Sequence, residues 1–158
     1  MTDAYIGIDL AIAKGKYLPI VISTVVDGRI SPLLLQSLPF KPPKGYGNPM
    51  VIDDHLIKTY AKACKTYIEQ VSRVLNLNIK RIAIDAPSSP TREGFSRRVC
   101  EQVLDTLNIS CFSTPTESKF KLIKQKVAEH LSSGAPSNKI PSPMQLWMIV
   151  GFEFFRVL

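Results

Sequence analysis

Alternation of apolar and polar residues begins almost at the N-terminus. In Ala4-Tyr-Ile-Gly-Ile-Asp-Leu-Ala, residues Ile6, Ile8 and Leu10 fall on one face at period two, while Gly7 and Asp9 fall on the other. That spacing predicts a strand with a carboxylate at its end. Tyr17–Val26 is rich in Ile and Val, and Pro32–Leu38 is apolar again. Between them Asp27-Gly28 is the dipeptide that supplies the positive φ values of a tight hairpin turn, so a three-strand antiparallel meander is expected. Phe40–Pro49 carries Pro42, Pro43, Gly45 and Gly47 and is predicted to be loop.

The period then changes. From Ile52 to Leu75 the apolar positions Leu56, Tyr60, Cys64, Tyr67, Val71 and Val74 recur at three and four, with Asp53 and Asp54 where a helix dipole favours negative charge. A long amphipathic helix is predicted. Arg81-Ile-Ala-Ile-Asp-Ala-Pro is a short apolar run ending at Asp85, as suits a buried parallel strand reached by a helical crossover. Gly94–Leu107 reads as a helix with Phe95, Val99 and Val103 on one stripe, and Ile109–Phe112 as another short strand, which would repeat the βαβ unit. Phe120–Leu131 is a basic amphipathic helix, Gly134–Pro143 a proline-rich connection, and Met144–Leu158 a helix apolar almost all round. A helix without a polar face must be covered, which points to further sequence or to a partner chain, for instance a homodimer formed through this helix.

With 158 residues, 45% of them hydrophobic and 21% charged, the chain suits a single domain spanning 1–158. Its longest apolar stretches fall far short of the ~20 residues needed to cross a bilayer, and no basic n-region precedes them, so neither membrane span nor signal peptide is expected. Cys64, Cys100 and Cys111 are odd in number, widely spaced and set in apolar segments. They read as reduced core thiols and favour a cytoplasmic location. The net charge of +7, from 20 Lys and Arg against 13 acids, favours anionic partners such as nucleic acid, although a solvated basic surface accounts for it equally well.

Candidate chemistry centres on Asp9 and Asp85. If the first strand pairs with the strand ending at Asp85, both carboxylates emerge at one carboxyl edge, where open α/β sheets bind ligands. With strands about 4.8 Å apart, two such carboxylates can share a hard divalent cation, Mg²⁺ or Mn²⁺, suited to phosphodiester hydrolysis. The plainer alternative is that Asp9 caps a turn and Asp85 binds backbone amides of Ala86–Ser89. Lys14, Arg92, Arg97 and Arg98 are candidate phosphate contacts, and Lys16 stands beside Lys14. Ser88, Ser89 and Thr91 read as a capping region. Glu153 is a possible third ligand or a partner of Arg156. His55 and His130 are isolated, and Trp147, Tyr60 and Tyr67 sit at core spacing.

Several segments also resemble a known family. These are Ile6-Gly-Ile-Asp-Leu-Ala, Ile82-Ala-Ile-Asp-Ala-Pro, Arg97-Arg-Val-Cys-Glu-Gln-Val-Leu, Phe112-Ser-Thr-Pro and Met148-Ile-Val-Gly-Phe-Glu-Phe-Phe-Arg-Val-Leu. Their order and spacing resemble the domain of unknown function family 429, described as predicted nucleases of the ribonuclease H-like fold. The resemblance implies a mixed sheet, an antiparallel meander plus parallel strands, flanked by helices, with Asp9 and Asp85 on the metal-binding acids of the first and fourth strands. It also implies that the chain stops before a last strand and helix that carry further acids, leaving the active site short of one or two carboxylates. Two other functions compete: a non-catalytic partner-binding module, and a sugar kinase or actin-like ATPase. Against the latter, this chain reads Asp9-Leu-Ala-Ile-Ala-Lys where those proteins carry Asp-x-Gly-x-Thr or Ser.

Overall fold

In the computed structural model, which describes residues Met1–Leu158, strands β1 (Thr2–Ile8), β2 (Ile20–Val26) and β3 (Arg29–Pro32) form the expected antiparallel meander. Asp27 and Gly28 take φ of 50° and 74°, the two positive values that reverse a chain in the sense of its own strand twist. The third strand lies earlier than the apolar run Pro32–Leu38 implied. A two-residue turn puts Arg29 directly opposite Val26, and Pro32 has no N–H with which to extend the ladder. Leu33 still donates to the Ile22 carbonyl at 2.8 Å, after which Leu35–Ser37 coil into a 3-10 turn.

Helix α1 (Asp54–Val74) begins where Asp53 accepts the N–H groups of His55 and Leu56 at 2.9 and 3.1 Å, satisfying donors that a helix start leaves free. Its buried stripe is Ile57, Tyr60, Ala61, Cys64, Tyr67, Ile68 and Val71, close to the predicted one. Asn76, at φ 52°, turns the chain into β4 (Leu77–Ile84), which pairs parallel with β1. Helix α1 is thus the crossover of one βαβ unit, and the sheet order is β3-β2-β1-β4.

The second βαβ unit expected from the sequence does not form. Ile109–Phe112 is no strand: the Ile109 N–H is taken by the Leu104 carbonyl at 2.9 Å, and Ile109 and Phe112 are half exposed. Helix α2 (Val99–Thr106) starts later than the predicted Gly94, and its apolar stripe of Phe95, Val99 and Val103 is 54, 76 and 51% exposed. The buried residue of α2 is instead Glu101. Its carboxylate accepts the Arg98 N–H at 3.1 Å, the Arg98 Nε at 3.0 Å, the Thr114 N–H at 3.1 Å and the Thr114 hydroxyl. This excursion is held by a polar knot, because nothing in the chain packs on its apolar side.

Helices α3 (Glu117–Ser132) and α4 (Pro143–Val157) complete an α/β architecture of four helices and an open, mixed four-stranded sheet with one parallel pair. One sheet face carries the core, in which Ala4, Ile6, Ile8 and Ile22 cluster with residues of α1 and α4. The other face is bare, with Tyr5, Val21, Val25 and Ile30 exposed. The apolar α4 finds its cover within its own chain: Leu146, Met148, Ile149, Val150, Gly151 and Phe154 are buried. Phe154 meets Tyr60 edge-on with ring centroids 5.5 Å apart, and Phe152 meets Phe120 at 5.2 Å. Of the cysteines, Cys64 alone is in the core, Cys111 is half-buried and Cys100 is exposed, all three as free thiols. No helix is long and apolar enough to cross a membrane.

Candidate acidic site at the carboxyl edge of the sheet

The parallel register pairs Ile6 with Ile82 and Ile8 with Ile84. Asp9 and Asp85 therefore follow paired residues on adjacent strands, about 4.8 Å apart by the usual strand spacing. The strand period sends the isoleucines into the core and places Gly7, Asp9, Ala83 and Asp85 on the opposite face. Backbone bonds pin both acids in place: the Asp85 N–H donates to the Ile8 carbonyl at 2.8 Å and the Asp9 N–H to the Pro19 carbonyl at 3.2 Å. Both side chains are exposed. Neither carboxylate accepts a hydrogen bond or forms an ion pair within the chain, and the capping roles weighed for them are not seen.

Both acids line a cleft of about 410 Å³ together with Leu10, Ile12, Asn48 and Trp147. One wall depends on a close backbone approach. The Gly47 N–H donates to the Ile12 carbonyl at 2.7 Å and the Gly45 N–H to the Lys16 carbonyl at 2.9 Å. A methyl on Gly45 would sit 2.5 Å from the Ile12 carbonyl carbon, well inside contact distance, so only glycine fits there. The Pro- and Gly-rich loop is thus hydrogen-bonded structure, and it delivers Asn48. Tyr60 supports the floor by donating its hydroxyl to the Ala11 carbonyl at 2.7 Å. The opposite wall is α4, whose Gly151 lies against Ala86, the residue after Asp85: a methyl on Gly151 would come within 2.5 Å of the Ala86 Cβ.

The remaining candidates lie elsewhere. Lys14 and Arg92 are exposed without an ion-pair partner, and none of the four basic candidates lines the acidic cleft. Arg97 pairs with Asp105 at 2.6 Å and donates to the Cys111 carbonyl at 3.3 Å, and Arg98 is tied to Glu101. Both are engaged in holding the α2 excursion. Thr91 donates its hydroxyl to the Thr114 carbonyl, so it staples this excursion and caps no helix. Glu153 does not line the acidic cleft; it lines a separate one between α1, α3 and α4, bonded to Arg156 at 3.3 Å. His130 contacts the Pro136 carbonyl at 2.9 Å. No group of three or more His, Cys, Asp or Glu side chains converges anywhere in the chain.

Asn48 and Trp147 are the site residues that sequence reasoning missed. Asn48 follows Gly47, which takes φ of 86°, and a polar residue at the end of a glycine-bearing loop was the signal available. Trp147 read as core, and it is half-buried.

This geometry defines the class: an α/β chain with an open mixed sheet and a pair of unengaged carboxylates where its parallel strands end. Comparisons with family models, with curated proteins and with solved structures find no match.

Proposed function

We propose that the chain is a divalent-metal-dependent nuclease of ribonuclease H-like architecture, belonging with the domain of unknown function family 429, and that Asp9 and Asp85 are its metal-binding carboxylates. The observation that carries this reading is the placement of two free carboxylates, one after each of two paired parallel strand ends, in one cleft. A meander followed by a parallel fourth strand, with acids ending the first and fourth strands, fits that architecture.

The donors available are oxygens: two carboxylates, and the side-chain amide of Asn48, which lines the same cleft. Oxygen donors suit Mg²⁺ or Mn²⁺ over softer ions. When bound, such an ion supplies Lewis acidity at a phosphoryl oxygen and lowers the pKa of water. Asp9 and Asp85 would hold it, and the repulsion between two adjacent carboxylates would favour its uptake. The indole of Trp147 and the side chain of Leu10 narrow the approach, while exposed Lys14 and Arg92, within a net charge of +7, attract the phosphate backbone. A non-catalytic partner-binding role has one observation in its favour, the bare α2 stripe, and would be indifferent to both acids.

The test is a Mg²⁺ and Mn²⁺ titration followed by thermal unfolding. At tenfold excess over Kd, mass action stabilises the folded state by about 1.4 kcal/mol, a rise of about 3–6 °C for a domain of this size. Asp9→Asn and Asp85→Asn should each abolish the rise, along with any cleavage of nucleic acid. A rise that survives both substitutions, or its absence in the wild type, refutes the site.

A further inference from the structure

Strand β4 is an edge strand, and the groove along its outer side has a volume of about 460 Å³ and is lined by Ile68, Ile79, Ile82, Ile84, Phe155 and Leu158 with Lys65, Lys80, Arg81 and Glu69. We infer that two copies of this chain associate by antiparallel pairing of their β4 edges about a dyad at Ala83, which sets Arg81 of each copy beside Asp85 of the other. The inference does not depend on Asp85 holding a metal.

The register follows from which backbone groups are free. The Asp85 N–H points inward to the Ile8 carbonyl, so by alternation the main-chain groups of Ala83 and Arg81 also face β1, and those of Ile82 and Ile84 face out. In an antiparallel pair, outward-facing residues must oppose outward-facing ones. That leaves only dyads centred on a residue. A dyad at Arg81 opposes two guanidinium groups. A dyad at Ile82 opposes Arg81 to Ala83, leaving that guanidinium unmatched, and sets Lys80, already paired with Asp3 of its own chain at 3.5 Å, opposite Ile84. A dyad at Ala83 opposes Ile82 to Ile84 of the second copy, which can exchange both main-chain bonds. The Ile84 carbonyl already accepts from Ala86 at 2.8 Å but retains a second lone pair.

Charge then selects the same arrangement. Arg81, Ala83 and Asp85 share the bare face of the sheet, all three are exposed, and neither Arg81 nor Asp85 has an ion-pair partner within its own chain. About Ala83, each Arg81 meets Asp85 of the second copy in a non-hydrogen-bonded pair, where side chains approach most closely. Ala83 itself stands at the dyad, where the closest main-chain approach suits a small residue. On the core side, Ile82 and Ile84 pair across the dyad, and the exposed Phe155 with Leu158 extends the apolar contact. The second copy therefore contributes a guanidinium to each acidic site.

Sedimentation equilibrium tests this directly. The wild type should show twice the 17.6 kDa chain mass. Arg81→Asp leaves two acids facing two acids, and Asp85→Arg leaves cations facing cations, so each variant alone should sediment as a monomer with an unchanged circular dichroism spectrum. Mixed in equal amounts, the two are complementary and should recover the dimer mass. Asp9→Asn should leave the dimer intact. A monomeric wild type, a dimer that survives either single substitution, or a folded mixture that stays monomeric overturns the proposal. Should either charge variant fail to fold, Ala83→Glu sets two carboxylates face to face at the dyad and must give a monomer; a persistent dimer overturns the proposal as well.

Discussion

Placement of Asp85 depends on the contact between Gly151 and Ala86, and a double-mutant cycle measures that contact. A methyl at Gly151 would lie 2.5 Å from the Ala86 Cβ, 3.3 Å from the Leu10 Cδ2 and 3.4 Å from the Pro87 carbonyl oxygen. Carbon atoms pack at ~3.5–4.0 Å, so the first contact is short by about 1.0–1.5 Å and the other two are nearly acceptable. Overpacking of this kind costs about 1–3 kcal/mol, while Gly to Ala inside a helix returns about 1 kcal/mol of propensity. Gly151→Ala alone should therefore destabilise by about 1 kcal/mol, the middle of that difference. Ala86→Gly alone should lose roughly 0.8 kcal/mol of burial. In the double variant the clash disappears and the helix gain remains, so the pair should be more stable than the sum of the two singles by about 1–3 kcal/mol. Trp147, the only tryptophan, sits one helical turn from Gly151, and its fluorescence in urea titrations reports the cycle. Additivity within about 0.5 kcal/mol would mean that the two residues do not constrain each other and would refute this account of how Asp85 is held.

Other expectations concern the rest of the chain. Burial pushes the Glu101 carboxyl up, but the bonds from Thr114 and Arg98 together outweigh it and hold the group below the usual carboxylate range. A depressed folded value contributes stability that is present above the unfolded pKa of about 4.3 and is lost as pH falls through the folded value. Glu101→Gln should cost about 1.5–3 kcal/mol at neutral pH and flatten the acid limb of a melting-temperature profile; an unchanged limb would remove Glu101 from the polar knot. Burial pushes the Cys64 thiol up to about 12, so iodoacetamide should label exposed Cys100 first and reach Cys64 only on unfolding; mass spectrometry of digests reads the order. Tyr60→Phe removes the bond to the Ala11 carbonyl and should cost about 0.5–1.5 kcal/mol, with a weakened response to divalent cations if the cleft floor shifts.

Local chemistry was legible in the sequence wherever a segment carries its own geometric instruction. Asp27-Gly28 specifies the hairpin because those two residues tolerate positive φ, and Asp53 specifies the start of α1 because its carboxylate fits the free N–H groups of a first turn. Period-two burial on β1, the three-and-four stripe of α1 and the short apolar run before Asp85 are likewise properties of single segments, and the first and last of these placed Asp9 and Asp85 at strand ends. What a segment meets is decided only by the tertiary structure. The stripe Phe95, Val99, Val103 has the spacing of a core face, yet no element lies opposite it, and the burial in α2 goes to Glu101, whose partner Thr114 is remote in sequence. Ile109–Phe112 has the composition of a strand but does not join the free edge of β4, since the Ile109 N–H turns back to the Leu104 carbonyl, so β4 stays at the border of the sheet. Periodicity states which side of an element is apolar; whether that side is covered depends on packing with residues far away in the chain, as it does for α4, where Gly151 alone leaves room for Ala86 and so holds Asp85 in place.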